Sequence, residues 1–150
     1  MNERSHDIDV LNDLIAATLD SSDGYSEAAD HAKNPMIADL FRQWAAERRR
    51  VVAELRVAVR DLGGEPEDDG TVLASVHRMF LDLRSHMSHG DRAVIDEVER
   101  GEDHIKDKFE RALAEESLGP RARDAVQAAY APVRAGHDEM RALKHSHEKG

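Results

Sequence analysis

The chain has 150 residues, 40% hydrophobic but only 4% aromatic, enough for one domain of ordinary size with a mainly aliphatic core. Its 21 Lys and Arg against 31 Asp and Glu leave a net charge of −10, which repels nucleic-acid backbones and anionic membranes on average. The absence of cysteine excludes disulfides, thiol nucleophiles and thiolate-bound zinc or iron–sulfur sites, so any metal needs His and carboxylate ligands. The start has no basic region leading into an apolar run, and nowhere do about 18 apolar residues follow one another. The expectation is a cytoplasmic protein with neither membrane nor nucleic-acid partners.

Apolar residues recur at spacings of three and four throughout, and no segment alternates as a half-buried strand does. The fold class is therefore all-α. A first helix is expected from about Asp7 to Lys33, with a stripe at Leu11, Leu14, Ile15, Thr18, Ser22, Tyr25, Ala29 and Ala32. Asn34-Pro35 ends it and starts the next, since Asn caps well and proline at the first helical position lacks only an N–H that has no partner there. The second stripe is Ile37, Leu40, Phe41, Trp44, Arg48, Val51, Leu55, Ala58, Val59 and Leu62, closed by Gly63-Gly64.

The acidic, Gly- and Pro-containing stretch 63–70 reads as an exposed connection. Thr71 is placed to cap a short helix from Val72 to about Met87, broken by the run from Ser88 to Asp91. Asp91 is expected to cap a longer helix with Val94, Ile95, Val98, Glu102, Ile105, Phe109, Ala112 and Leu113 on its stripe. Gly119-Pro120 divides that from a last helix carrying Val126, Ala129, Tyr130, Val133, His137, Met140 and Lys144. The result is one domain, residues 7–144, between flexible termini 1–6 and 145–150: a four-helix bundle with a short extra helix in a long crossover, the connection that ferritin-like bundles use.

Four stripe positions are polar where pure packing asks for Leu or Ala: Ser22, Arg48, Glu102 and His137, one on each long helix. Ser22 lies 12 residues before Asn34 and Arg48 14 after it, while Glu102 lies 11 after Asp91 and His137 falls opposite position 99 across the second hairpin. If the crossover returns the chain to the same end, these heights agree within roughly 9 Å at about 1.5 Å per residue, which allows one polar layer.

Two readings compete for the layer. In one, Glu102 pairs with Arg48, and Ser22 with His137 completes a hydrogen-bonded network that fixes register, because a buried charge needs a partner. In the other, Glu102 and His137 bind iron or manganese, ions suited to imidazole and carboxylate. The first is favoured, since a guanidinium occupies the space and opposes a second cation. The di-metal carboxylate pattern, a Glu from each of two helices and Glu-x-x-His from the others, is not met: the one Glu-x-x-His is Glu3 to His6, in the N-terminal extension. A stretched ligand set draws on Glu27, Glu47, Glu54 and Glu99, which read as surface or flanking carboxylates.

Other features carry less. Pro132 should kink the last helix a turn before His137, with Gly101 and Gly136 allowing close helix approach. His77 has no Ser or Cys nucleophile motif beside it. His86, His89 and Asp91, or His145 and His147, are exposed chelators at most. Arg48-Arg49-Arg50 spreads over different helix faces and is no nucleic-acid motif. Leu81 and Met87 offer an apolar face suited to a homo-oligomer.

Taken together, Leu-Asn-Asp-Leu-Ile at 11–15, Asp-Leu-Gly-Gly-Glu-Pro-Glu-Asp at 61–68, Val-His-Arg at 76–78, Glu-Arg-Gly-Glu-Asp at 99–103 and Gly-His-Asp at 136–138 carry a likeness. Over about Val10 to Leu143 the chain resembles a bacterial family of ferritin-like four-helix-bundle proteins known as a domain of unknown function. The resemblance implies the ferritin-like fold and a stress-related role, and brings no reaction with it. The expected function is that of a non-catalytic, partner-binding or stress-linked bundle without a cofactor. The alternative is an iron- or manganese-binding oxidase or storage protein with a reduced ligand set.

Overall fold

A computed structural model describes residues 2–68 and 91–149. These form four helices: α1 (Asn2–His31), α2 (Pro35–Asp61), α3 (Arg92–Ala114) and α4 (Pro120–Lys149). No strand occurs among the described residues. The expected cap and helix of the crossover, Thr71 and Val72 to Met87, lie outside the described residues, as do His77, His86, His89 and Leu81.

Each helix boundary has a local cause. The Asn34 side chain accepts from the Met36 and Ile37 N–H groups at 2.9 and 3.4 Å, and Pro35 opens α2. At the other end Gly63 adopts φ +85°, while the Gly64 and Gly63 N–H groups bond to the Val59 and Arg60 carbonyls. This is a Schellman stop, and only glycine takes that φ without strain. Gly64 is also needed for space, because a Cβ there would press on the Ile8 side chain at 2.8 Å.

The long helices outrun the expected bounds at both ends. α1 begins at Asn2 and α4 reaches Lys149, so segments expected to be loose termini are helical. Part of the reason is tertiary: the His6 ring lies 3.2 Å from the Glu115 carboxylate in the α3–α4 turn. α4 also runs unbroken through Pro132.

Asp91 corrects another expectation. It begins α3 in helical backbone geometry with no side-chain cap bond. Its carboxylate instead accepts from the Lys33 and Asn34 backbone N–H groups, at 2.7 and 2.9 Å. The start of α3 therefore sits at the α1–α2 turn, where α2 also starts. α2 and α3 therefore begin at the same end of the bundle.

Around the bundle α1 packs beside α2 and α3, and α4 packs beside α3 and α2, which leaves α2 and α3 facing across a diagonal. The interior divides into two apolar clusters. One takes Leu11 to Ile15, Val51 to Leu62, Ile105 to Ala112 and the first half of α4. The other takes Tyr25 to Ala29, Ile37 to Ala45, Val94 to Val98 and Met140. Ser22, Arg48, Glu102 and His137 are buried at the join between them.

Candidate functional site

The join is an ionic layer. Arg48, on α2, has no solvent exposure, and its Nη2 donates to Glu102 Oε2, on α3, at 2.5 Å. The contact spans the diagonal. Its approach depends on Gly136 of α4, since a Cβ there would overlap Arg48 Nη2 and come within 2.9 Å of Glu102 Oε2 and 3.2 Å of Trp44. Gly136 thus serves close approach, as expected. Gly101 does not: nothing lies within 4 Å of a Cβ built on it, because it points to solvent.

Two aromatic rings complete the guanidinium's surroundings. Its Cζ lies 5.8 Å from the Tyr25 ring centroid and 5.6 Å from that of Trp44, within cation–π range. Among the described residues, Arg48 Nε and Nη1 have no hydrogen-bond partner. Burial, with the adjacent Glu102 charge, pushes the Tyr25 hydroxyl well above its ordinary value of 10.0. Glu102 itself is pushed up to about 7, because desolvation outweighs the pull of Arg48, Tyr25 and His137. Tyr25 and Trp44 were stripe residues in the sequence. Their helical spacing carried the missed signal: Tyr25 follows Ser22 by three and Trp44 precedes Arg48 by four, which puts each pair on one face.

The expected four-residue network is not what the layer contains. The Ser22 hydroxyl donates to the Ala45 carbonyl at 3.0 Å, tying α1 to α2 beside the ion pair. A small hydroxyl at that depth reaches the nearest carbonyl before it reaches α4. His137 turns toward the rim, with Nε2 2.6 Å from Asp103 and Nδ1 3.3 Å from Asp138. Both ring nitrogens face these two exposed carboxylates, and Asp103 had not been singled out.

The remaining carboxylates of the stretched ligand set lie apart. Glu47 and Glu54 bond to Arg50 on the outer face of α2, and Glu99 lies 3.7 Å from Lys144 at the α3–α4 seam. Glu27 is half-buried on α1, where its backbone carbonyl contacts His31. Among the described residues no three His, Asp or Glu side chains come together as a metal-ion cage. The geometry offers a charge pair with a titratable carboxylate, enclosed by two aromatic rings and a glycine.

Residues 6–115 match the family described as Domain of unknown function (DUF2383). The chain belongs to that family. The DUF2383 match takes in α1, α2 and α3, and with them Ser22, Tyr25, Trp44, Arg48 and Glu102. Gly136 and His137, on α4, lie beyond it. No curated protein matches the chain. No helix among the described residues is long and apolar enough to cross a membrane.

Proposed function

We propose that this DUF2383 protein is a ferritin-like bundle without catalytic chemistry of its own, acting as a structural or partner-binding protein linked to stress. The observation that carries the reading is the Arg48–Glu102 pair. Ferritin-like di-metal proteins project their ligands into the bundle core from all four helices. Here a fully buried guanidinium fills the middle of the interior, takes the carboxylate of α3 and sets a fixed positive charge where a metal ion would have to enter. His137 faces the rim carboxylates. The single long connection between α2 and α3, which start at one end, supports the ferritin-like relation.

Untagged protein reconstituted anaerobically with Fe(II), then dialysed, should retain no stoichiometric iron by elemental analysis, and manganese should behave alike. Retained metal that is lost in Glu102→Ala and in His137→Ala would establish the reduced-ligand oxidase or storage reading instead.

A further inference from the structure

We propose that Asn12 and Arg56 form a main-chain clamp that holds residues 64–68 as a strap against the α1–α2 hairpin, and that the strap opens and closes as one unit while the bundle beneath it stays folded.

The clamp joins two stretches that are distant in sequence, Leu-Asn-Asp-Leu-Ile at 11–15 and Asp-Leu-Gly-Gly-Glu-Pro-Glu-Asp at 61–68. Asn12 Nδ2, on α1, donates to the Glu65 carbonyl at 3.0 Å, and Asn12 Oδ1 accepts from the Glu67 N–H at 2.8 Å. An asparagine amide carries both a donor and an acceptor, so it can bracket one residue of non-helical chain. The bracketed residue is Pro66, which has no N–H to leave unsatisfied. From α2, Arg56 Nε donates to the Glu67 carbonyl at 3.3 Å and Nη2 to the Asp68 carbonyl at 3.4 Å. Glu67 is thus held by its N–H from α1 and by its carbonyl from α2. At the near end Leu62 is buried in the cluster of Leu11 and Leu14, and Gly64 lies against Ile8, where a Cβ would come within 2.8 Å of the side chain.

These contacts differ in kind from those of the helices they join. The clamp is made of hydrogen bonds at the surface, and Glu65, Glu67 and Asp68 are exposed, whereas α1 and α2 share an apolar core. A segment held by exposed hydrogen bonds and few apolar contacts opens locally, at less cost than unfolding. Because Asn12 and Arg56 grip the same residue, losing one grip frees the peptide that the other needs in place, and the strap leaves as a whole.

Amide exchange followed by NMR on the full chain tests the clamp directly, because the Glu67 N–H has Asn12 as its acceptor. In the wild type this amide should exchange on the order of tenfold more slowly than in unstructured chain, since opening gives up linked hydrogen bonds. Asn12→Ala should return it to the unstructured rate. Asn12→Asp keeps an acceptor for Glu67 but turns an oxygen toward the Glu65 carbonyl, and should not restore the protection. Gly64→Ala should also speed Glu67 exchange by pushing the strap off Ile8, and adding Ile8→Ala should reverse that effect. Amides of the core residues Val51 and Leu55 should keep their wild-type protection in Asn12→Ala. Limited proteolysis after glutamate gives a second reading. Between Leu62 and Gly90 glutamate occurs only at 65, where the following proline blocks cutting, and at 67, so cleavage into 1–67 and 68–150 should accelerate severalfold in Asn12→Ala. A wild-type Glu67 amide that exchanges at the unstructured rate overturns the proposal without any variant. So does Glu67 exchange that Asn12→Ala leaves unchanged, or a rise matched at Val51 and Leu55, which would make the opening global.

Discussion

Asp7 and Asp91 perform the same task at opposite ends of the bundle, each satisfying backbone donors in the turn of the other hairpin. Asp91 takes the Lys33 and Asn34 N–H groups of the α1–α2 turn, and Asp7 takes the Gly119 N–H of the α3–α4 turn at 3.1 Å. Both are buried. These carboxylates fix how the hairpins are aligned end to end, while the Arg48–Glu102 pair fixes them at mid-height.

Asp91→Ala and Asp7→Ala should each destabilise the protein by about 1–3 kcal/mol, because each removes charge-assisted hydrogen bonding from a buried carboxylate to the opposite turn. The residues are a bundle length apart, so the double variant should show close to the sum. Urea denaturation measures all three. Losses no larger than those of exposed substitutions would mean that water replaces the carboxylates without cost.

The two glycines of the layer region should respond oppositely to alanine. Gly136→Ala drives a methyl into Arg48 and Glu102 and should cost about 1–3 kcal/mol through overpacking. Gly101→Ala meets open space on a helix and should be neutral or stabilising by up to roughly 1 kcal/mol. Thermal denaturation of the pair is decisive, and equal effects would contradict the packing described.

Removing half of the ion pair should be worse than removing all of it. At pH 8, Arg48→Met strands the buried Glu102 charge, with a loss on the order of 3–5 kcal/mol, whereas Arg48→Met combined with Glu102→Leu should lose less. A double variant as unstable as the single one would show that the guanidinium contributes by packing against Tyr25 and Trp44 and not by charge.

The wild type should become less stable relative to Glu102→Gln as pH rises from about 4.5 to 8. Glu102 shifts from its ordinary 4.5 to about 7 on folding. Between those values the folded protein holds a proton that the unfolded chain has released. The stabilisation from this group is complete at low pH and is lost as pH rises through about 7. The full difference is on the order of 3 kcal/mol at about 1.4 kcal/mol per pH unit. Urea midpoints measured at several pH values check it, and a constant gap between the two proteins would place Glu102 in an ordinary, solvated setting.

The sequence by itself determined the helices and their buried faces, because a period of 3.6 and the signals at Asn34-Pro35, Gly63-Gly64 and Gly119-Pro120 are local. Residue counts from the turns also put Arg48 and Glu102 at similar heights along rigid helices, on the condition that the crossover returns the chain to the same end. The Arg48–Glu102 pairing was legible, but what Ser22 and His137 bond to was decided by tertiary structure alone. Ser22 and His137 lie at the right height, yet reach Ala45 and Asp103, because a hydrogen bond depends on fractions of an ångström that helix periodicity does not encode. Asp91 reads as a cap for its own helix, and Asp7 merely as a first residue, until the folded chain brings each beside a turn distant in sequence. The value near 7 at Glu102 is likewise a property of burial, which exists only once four helices have closed around it.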